Sequence, residues 1–294
     1  MERQRASRQH AGRARRSRVQ ILRGYALVTG ASQGLGHAIA NDLACRGMDV
    51  ILTALPNSGL ERTASQLAQK HDVRVEWFEV DLTQPGGPEL LVDWIGDGGF
   101  VVSVLVNNAG TGYNSRFEDS TLGENESCIL LNNLALVKIT RLLLPKLARR
   151  PRAFVLNVAS LAAFFPMPYM PVYAPTKAFI LNFSLALREE LRGSTISVST
   201  LCPNGIRTNR STCEKIEAGG WAARLTCMDV DAVASYAVSE LLVERAIIVP
   251  GGLNRAIVAV ARFVPRRAVY AVISIFWGRT ASGSKVSVLD STPA

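Results

Sequence analysis

From residue 24 onward, short apolar runs alternate with longer segments whose apolar residues follow a helical period. The apolar runs occupy residues 25–29, 49–54, 73–80, 101–106, 153–159, 195–202 and 246–249. The helical segments between them include 34–46, 60–70, 122–149, 173–192 and 229–244. Runs such as 101–106 are apolar on both faces, as expected of strands that helices cover on both sides. The alternation predicts an α/β fold: a doubly wound, seven-stranded parallel sheet with helices on both faces.

The 294 residues contain no Gly-, Ser- or Pro-rich linker within the alternating region, so residues 24–252 are expected to form a single domain. An arm with eight arginines and one glutamate, residues 1–23, precedes it and is expected to be disordered. A basic, amphipathic extension, residues 253–294, follows it. Between these ends, residues 24–245 hold 19 basic and 22 acidic groups. The folded body therefore lacks the basic face of a nucleic-acid-binding protein.

The cysteines and histidines argue against a disulfide-stabilised protein and against a metalloprotein. Five scattered cysteines without a CxxC pair favour a reducing compartment over a disulfide framework, which predicts a cytoplasmic protein. The three histidines are far apart and no metal-ligand spacing is present, so no metal site is expected.

The C-terminal extension suggests association with a membrane surface. Residues 256–277 are largely apolar but basic residues and a proline interrupt them, and the uninterrupted run 269–277 is far shorter than the roughly 20 residues of a spanning helix. An interfacial segment fits this pattern, with the arginine arm adding attraction to anionic lipids. The alternative is that residues 256–277 pack on the protein, over a substrate pocket or a subunit interface.

A glycine-rich turn follows the first apolar run and reads Thr29-Gly-Ala-Ser-Gln-Gly-Leu-Gly36. Glycine allows a tight turn and close approach of a ligand, and the N-terminus of the following helix offers free N–H groups to a phosphate. At the first strand-to-helix turn of such a fold, this pattern favours a dinucleotide site. A tight turn without a ligand is the alternative.

Tyr173 and Lys177 lie four residues apart on a predicted helix, so an ammonium can sit beside a phenol. A neighbouring positive charge favours the phenolate and is expected to lower the pKa of Tyr173 toward the range of an acid/base catalyst. An ordinary amphipathic helix carrying one tyrosine and one lysine is the alternative.

Further motifs appear in order along the chain. They are Asp81-Leu82, Asn107-Asn-Ala-Gly110, Asn132, Ser160, Tyr173-x-x-x-Lys177 and Pro203-Asn-Gly-Ile-Arg-Thr208. Together with the T-G-x-x-x-G-x-G turn, this set resembles the short-chain dehydrogenase/reductase family in its single-domain, Rossmann-type form, over essentially all of residues 24–250. The resemblance implies an NAD(P)-dependent oxidoreductase that moves a hydride between nicotinamide and an apolar alcohol or ketone. A regulatory, coenzyme-binding member with little turnover is the alternative.

The resemblance also implies residue roles. Tyr173 would be the general acid/base, Lys177 would lower its pKa, Ser160 would hold the substrate oxygen, and Asn132 would position a proton-relaying water. The coenzyme would contact Gly30, Ser32, Gln33, Gly34, Leu35, Gly36, Asp81, Leu82, Asn108, Ala109, Gly110, Tyr173, Lys177, Pro203, Asn204, Ile206 and Thr208. For Asp81, a helix cap ahead of Gln84 is the alternative to an adenine contact. Asn133 and Asn204 depart from the family pattern, which has an apolar residue and a glycine at these positions.

The sequence also gives expectations for the coenzyme, the substrate site and the oligomeric state. The second apolar run ends at Ala54 and Leu55 without the carboxylate that NAD use requires, which favours NADP, although Leu55 replaces the arginine common in NADP-preferring members. NAD is the alternative. Apolar residues after Ser160, from Leu161 to Met170, are expected to line an apolar substrate site or to belong to the core. A homo-oligomer is expected.

Overall fold

The computed structural model describes residues 24–207 and 227–261, together with residues 263, 264 and 267. Seven parallel strands form one sheet in the order β3-β2-β1-β4-β5-β6-β9. These strands are β1 (Tyr25–Thr29), β2 (Asp49–Ala54), β3 (Val75–Glu79), β4 (Val102–Asn107), β5 (Ala153–Val158), β6 (Ile196–Leu201) and β9 (Ile247–Ile248). The chain direction across the sheet reverses between β1 and β4, so the crevice of a doubly wound fold opens there. The predicted fold class is confirmed.

Eight α-helices belong to the described part of the chain. They are α1 (Gly34–Cys45), α2 (Leu60–His71), α3 (Gly87–Asp97), α4 (Leu122–Ile129), α5 (Leu136–Ala148), α6 (Tyr173–Glu190), α7 (Val230–Leu242) and α8 (Gly252–Ala261). A π-helical segment, Leu130–Ala135, joins α4 to α5. The sequence predicted one continuous helix over 122–149. The π segment was not foreseen because its apolar pattern resembles that of an α-helix.

The core lies on both faces of the sheet, as the two-sided apolar runs predicted. In β1, Ala26 and Val28 pack with the buried faces of α1 and α7. Tyr25 and Leu27 point to the opposite face, where α3 and α5 cover them. All four side chains are nearly or fully inaccessible to solvent. This burial fixes the position of the turn that follows β1.

A separate pair of short strands and the last described helix, α8, follow β6 in the chain and lie outside the main sheet. Strand β7 (Ile206–Arg207) pairs in parallel with β8 (Met228–Asp229), apart from the main sheet. Helix α8 buries Val258 in a cluster with Leu161 and Val249. The opposite side of α8 exposes Leu253, Ile257 and Val260.

Much of the predicted terminal organisation lies outside the described residues. This holds for the arginine arm and for most of the segment 256–277. Within the described part, the stretch Leu122–Ala148 has the length and hydropathy of a membrane span. Its side chains Ile139 and Leu143 belong to the sheet core, so a core helix pair accounts for it.

Candidate active site

The glycine turn after β1 has the backbone geometry of an anion cradle. Gly30 and Gly34 adopt left-handed φ values of +65° and +61°. A Cβ at Gly36 would overlap the carbonyl oxygen of Gly30, and a Cβ at Gly30 would lie 2.9 Å from Ala109 Cα. Helix α1 begins after Gln33 without a side-chain cap. Its first N–H groups therefore suit an anionic ligand.

The remaining residues of the predicted turn differ in exposure. Leu35 is buried, Ser32 is half-buried and Gln33 is exposed. The backbone N–H of Ala31 is bonded to the carbonyl oxygen of Thr53 at 3.1 Å, which ties the turn to the end of β2.

Thr29 and Asn108 join this turn to the loop after β4. Thr29 Oγ1 accepts hydrogen bonds from the N–H groups of Asn108, at 3.0 Å, and Ala109, at 2.9 Å. Asn108 Nδ2 donates to the carbonyl oxygens of Thr29, at 2.9 Å, and Gly30, at 3.1 Å. The two loops at the crevice thus hold each other in place.

Asp81 follows β3 and forms a local turn. Its carboxylate accepts hydrogen bonds from the Thr83 N–H, at 2.9 Å, the Thr83 hydroxyl, at 2.7 Å, and Gln84 Nε2, at 3.3 Å. Burial raises the pKa of Asp81, but the bonds from Thr83 and Gln84 outweigh it and leave the pKa below its ordinary value. Leu82 is buried beside it. The helix cap given as the alternative is not what Asp81 forms, because α3 begins only at Gly87, after Gly86, and the adenine contact stays a prediction.

Asn132 lies in the π segment and is fully buried. Its Oδ1 accepts a hydrogen bond from the Thr111 N–H at 2.9 Å. Its Nδ2 lies 2.9 Å from the Thr111 carbonyl oxygen and 2.9 Å from Thr176 Oγ1. The amide therefore links the loop after β4 to helix α6, and its side chain has a single orientation.

Ser160, after β5, and Tyr173, at the start of α6, lie next to each other. Ser160 begins a 3₁₀ turn, Leu161–Phe164, and its Oγ accepts from the Ala162 N–H at 3.1 Å. Burial raises the pKa of Tyr173, and a hydrogen bond between Tyr173 and Ser160 opposes that rise. The sequence predicted a lowered pKa for Tyr173. That prediction is wrong for this geometry because burial has the larger effect.

Lys177 is nearly inaccessible, with 4% of its surface exposed. Its Nζ donates to the Val158 carbonyl oxygen at 3.0 Å and lies 5.7 Å from the centre of the Tyr173 ring. Burial lowers the pKa of Lys177 to about 8. A Cβ at Gly110 would lie 3.2 Å from Nζ, so this glycine leaves room for the ammonium.

The loop after β6 carries the predicted nicotinamide contacts. Pro203 accepts a hydrogen bond from the Leu161 N–H at 2.8 Å. Asn204 donates through Nδ2 to Asn254 Oδ1, on α8, at 3.1 Å. Ile206 packs against the core. Thr208 lies outside the described residues.

Asparagine tolerates positive φ better than most residues, so Asn204 could keep a left-handed turn in place of the family's glycine. Within the described part of the chain, only four non-glycine residues have positive φ, and Asn204 is not one of them. The residue is instead fixed through its side chain, and the glycine conformation is not needed.

Sequence reasoning gave no role to several residues of this site. Thr111 and Thr176 bond to Asn132, and a Cβ at Gly112 would overlap the Tyr173 ring. Cys128 lies 3.4 Å from Asn132 Nδ2. Position in the motifs was the available signal, since Thr111 and Gly112 directly follow Gly110, and Thr176 directly precedes Lys177. No group of residues suited to a metal occurs in the described ranges, 24–207 and 227–261.

Curated proteins of similar sequence include enzymes whose names refer to 3-oxoacyl-CoA or hydroxysteroid compounds. The chain is 32% identical over 203 residues to very-long-chain 3-oxoacyl-CoA reductase of Bos taurus, across 67% of this chain and 63% of that protein. It is 32% identical over 187 residues to 17-beta-hydroxysteroid dehydrogenase type 3 of Homo sapiens, across 63% and 59% of the two chains. The chain thus matches somewhat less than two thirds of the length of these relatives.

Solved structures agree on the fold. The short-chain dehydrogenase from Sphingobium yanoikuyae in complex with NADPH has a TM-score of 0.69 and 27% identity, over 83% of this chain and 97% of that one. The bulky-bulky ketone specific alcohol dehydrogenase from Comamonas testosteroni has a TM-score of 0.70 and 24% identity, over 84% and 94%. The short chain dehydrogenase family model matches residues 24–217. With its glycine turn, its Ser160–Tyr173 contact and the neighbouring Lys177, the chain belongs to the short-chain dehydrogenase/reductase family.

Proposed function

We propose that this protein is an NAD(P)-dependent oxidoreductase that interconverts an alcohol and a ketone, with Tyr173 as general acid/base. One observation carries the proposal. The hydrogen-bonded Ser160 and Tyr173, the buried Lys177 and the fixed Asn132 lie together beside an uncapped glycine turn at the carboxyl end of a parallel sheet. This is the combination of acid, substrate-oxygen ligand and anion cradle that coenzyme-dependent carbonyl reduction requires.

The glycine turn fits a nicotinamide dinucleotide. The positions of Gly30 and Gly36 leave no room for a side chain, and the N-terminus of α1 has no side-chain cap. The glycines and the N-terminus of α1 would hold the pyrophosphate, Asn108 would support the turn through its bonds to Thr29 and Gly30, and Tyr173 with Lys177 would hold the nicotinamide ribose. When bound, the coenzyme supplies or accepts the hydride.

Side chains of the site would carry out the proton transfer that accompanies hydride transfer. In the reductive direction, Ser160 donates a hydrogen bond to the substrate oxygen and Tyr173 gives it a proton as the carbonyl becomes an alcohol. The phenolate left behind would be stabilised by the ammonium of Lys177, whose Nζ lies 5.7 Å from the centre of the Tyr173 ring. Asn132, fixed through its side chain, would position a water that returns the proton.

For the coenzyme, we propose a preference for NADP. Strand β2 ends at Ala54, and the exposed Leu55 follows it, so neither position offers a carboxylate to a ribose 2′-hydroxyl. One observation favours NAD: the Glu79 carboxylate, at the end of β3, accepts a hydrogen bond from the Asn57 N–H at 3.0 Å and places a negative charge near this corner.

Fluorescence titration with NADPH and NADH tests the preference. We expect tighter binding of NADPH, and we expect Leu55→Arg to strengthen NADPH binding further by pairing with the 2′-phosphate. Glu79→Gln serves as the comparison. Tighter binding of NADH by the wild type, reversed by Glu79→Gln, would assign the choice to Glu79 and overturn the preference.

For the substrate, we propose a long-chain 3-oxoacyl thioester. The curated relatives include very-long-chain 3-oxoacyl-CoA reductases. Next to Ser160, a row of partly exposed apolar side chains offers contact to a chain without charge near its reacting carbon. These are Phe164, Phe165, Met167, Tyr169 and Met170.

A coenzyme-coupled screen tests the activity and the substrate class together. The panel holds 3-oxoacyl thioesters of increasing length, 17-ketosteroids and small ketones, with Tyr173→Phe as the matched inactive variant. We expect the highest kcat/KM for a long acyl thioester. Coenzyme binding without turnover of any compound would favour the regulatory alternative.

We further propose that the protein binds a membrane surface through α8 and its C-terminal continuation. The outer side of α8 exposes Leu253, Ile257 and Val260, and Phe263 beyond it is 89% exposed. Co-flotation with anionic liposomes should detect binding that weakens with salt and with Leu253→Ser/Ile257→Ser. Full-length protein that stays in the soluble fraction at low salt would contradict this.

We propose a homo-oligomer because a second group of apolar side chains is exposed to solvent. The exposed apolar side chains of Ile129, Leu134 and Phe179 lie on the π-linked helix pair α4–α5 and on α6, where a second copy would cover them.

A further inference from the structure

Asn133 holds the start of the catalytic helix from outside. Its Nδ2 donates to the Thr176 carbonyl oxygen at 2.9 Å. Its neighbour Asn132 donates to the hydroxyl of the same threonine at 2.9 Å. The side-chain amides of two consecutive residues therefore bond to Thr176, one to its hydroxyl and the other to its backbone carbonyl. Asn133 is one of the positions at which this chain departs from the family pattern.

The π segment makes this double contact geometrically accessible. In a regular α-helix, consecutive side chains point about 100° apart, so adjacent residues serve different faces. The π segment Leu130–Ala135 widens the turn around Asn132 and Asn133. Asn132 is fully buried and Asn133 is half-buried, so the pair spans the seam between this segment and α6.

The first turn of α6 is held by backbone bonds from the Ala174 and Thr176 N–H groups to the Met170 and Val172 carbonyl oxygens, each at 3.1 Å, and the two asparagines add side-chain bonds to it. The helix begins at Tyr173 after Val172, without a side-chain cap. Pro175, in this first turn, has no N–H to donate. Thr176 Oγ1 donates to the Tyr173 carbonyl oxygen at 2.7 Å, so a displacement of Thr176 is transmitted to the tyrosine. Lys177 is the next residue in the chain.

We propose that Asn133 is a positioning residue for the Tyr173–Lys177 pair. By holding the Thr176 carbonyl, it sets the rotation of the first turn of α6 and with it the distance between the phenol and the ammonium. The proposal rests on the proposed function of Tyr173 as acid/base, but the placement of the two groups can be measured without coenzyme or substrate.

The test replaces Asn133 by valine, the residue usual in the family. The matched control is Asn182→Val, because the exposed Asn182 on α6 also donates through Nδ2 to a backbone carbonyl oxygen, that of Ala178, at 2.9 Å, but within its own helix. Ionisation of Tyr173 is followed by ultraviolet difference titration of the coenzyme-free protein, with Tyr173→Phe subtracted. The rate is followed as kcat against pH in the oxidative direction.

We expect Asn133→Val to lower kcat about tenfold, with KM for coenzyme nearly unchanged, since small misplacement of reacting groups has effects of this size or larger. Because a displaced Tyr173 would lose part of the Ser160 hydrogen bond that opposes the rise of its pKa, the Tyr173 titration and the rising limb of the pH profile should both move to higher pH. Asn133→Gln, which keeps the amide, should restore part of both. Asn182→Val should change neither.

A purely structural role gives a different result. Asn133→Val and Asn182→Val would then lower the unfolding temperature to a similar extent, with the Tyr173 titration and the pH profile unmoved, and the proposal would be overturned. If Asn133→Val does not fold, Asn133→Ser replaces it in the same titration. A shifted titration in a protein without turnover would retain the positioning role and reject the proposed function.

Discussion

Replacing Lys177 by methionine should alter how the free energy of unfolding depends on pH. Burial lowers the pKa of Lys177 from 10.5 to about 8 in the folded protein. Between these values the unfolded chain binds a proton that the folded protein has lost. The unfolded state therefore binds more protons, and stability rises with pH across this window.

The size of the effect follows from the two pKa values. Linkage predicts that the wild type gains about 2 kcal/mol from this lysine between pH 7 and about pH 9.5, and about 3 kcal/mol by pH 10.5. Lys177→Met cannot make this gain. Its stability at pH 7 alone is less informative, because the variant removes a buried ammonium but also leaves the Val158 carbonyl without its donor.

Urea denaturation of both proteins at several pH values between 7 and 9.5 measures the difference. Comparing wild type with variant cancels the contributions of the groups that titrate in this range without interacting with Lys177. Lys146→Met is the control, since this half-buried lysine also donates to a backbone carbonyl, that of Val92, at 3.3 Å. A wild-type-minus-Lys177→Met difference that stays constant within about 0.5 kcal/mol would show that Lys177 keeps its charge on folding and refute the reasoning.

Two further predictions concern the cradle and the acid. Gly36→Ala should abolish measurable coenzyme binding in a fluorescence titration, because its Cβ would overlap the Gly30 carbonyl and Asn108. The control is Gly123→Ala, whose Cβ would have nothing within 4 Å; it should bind coenzyme normally and be slightly more stable. Normal coenzyme binding by Gly36→Ala would reject the anion cradle. Tyr173→Phe should lower kcat by 10²–10⁴-fold while coenzyme affinity changes little; a variant that keeps a tenth of the wild-type rate would reject the proton-transfer role.

The sequence was sufficient to predict the sheet and the neighbourhood of the motifs. Parallel strands end at the same edge, so motifs that follow β1, β3, β4, β5 and β6 had to converge there. The two-sided apolar runs were an adequate signal because helices cover both faces of β1. The site thus follows from local patterns and one topological rule.

What the sequence could not predict depends on long-range geometry. The pKa of Tyr173 was expected to fall because spacing places Lys177 on the same helical face, but spacing carries no information on burial. In the folded protein the ammonium of Lys177 bonds to a carbonyl of β5, and burial dominates at Tyr173. Which carbonyl is nearest depends on how α6 packs on the sheet, and no motif records that.

The departure at position 204 shows how a local deviation can be compensated by a remote element. The loop after β6 has Asn204 where the family has glycine, and its amide is bonded to Asn254 at 3.1 Å. Asn254 is 2% exposed and also donates to the Pro250 carbonyl oxygen at 3.0 Å, so it is itself firmly held at the start of α8. Helix α8 in turn packs Val258 against Leu161, next to Ser160. The loop after β6 and the turn after Ser160 are therefore both held by the same C-terminal helix whose outer side we propose to face a membrane.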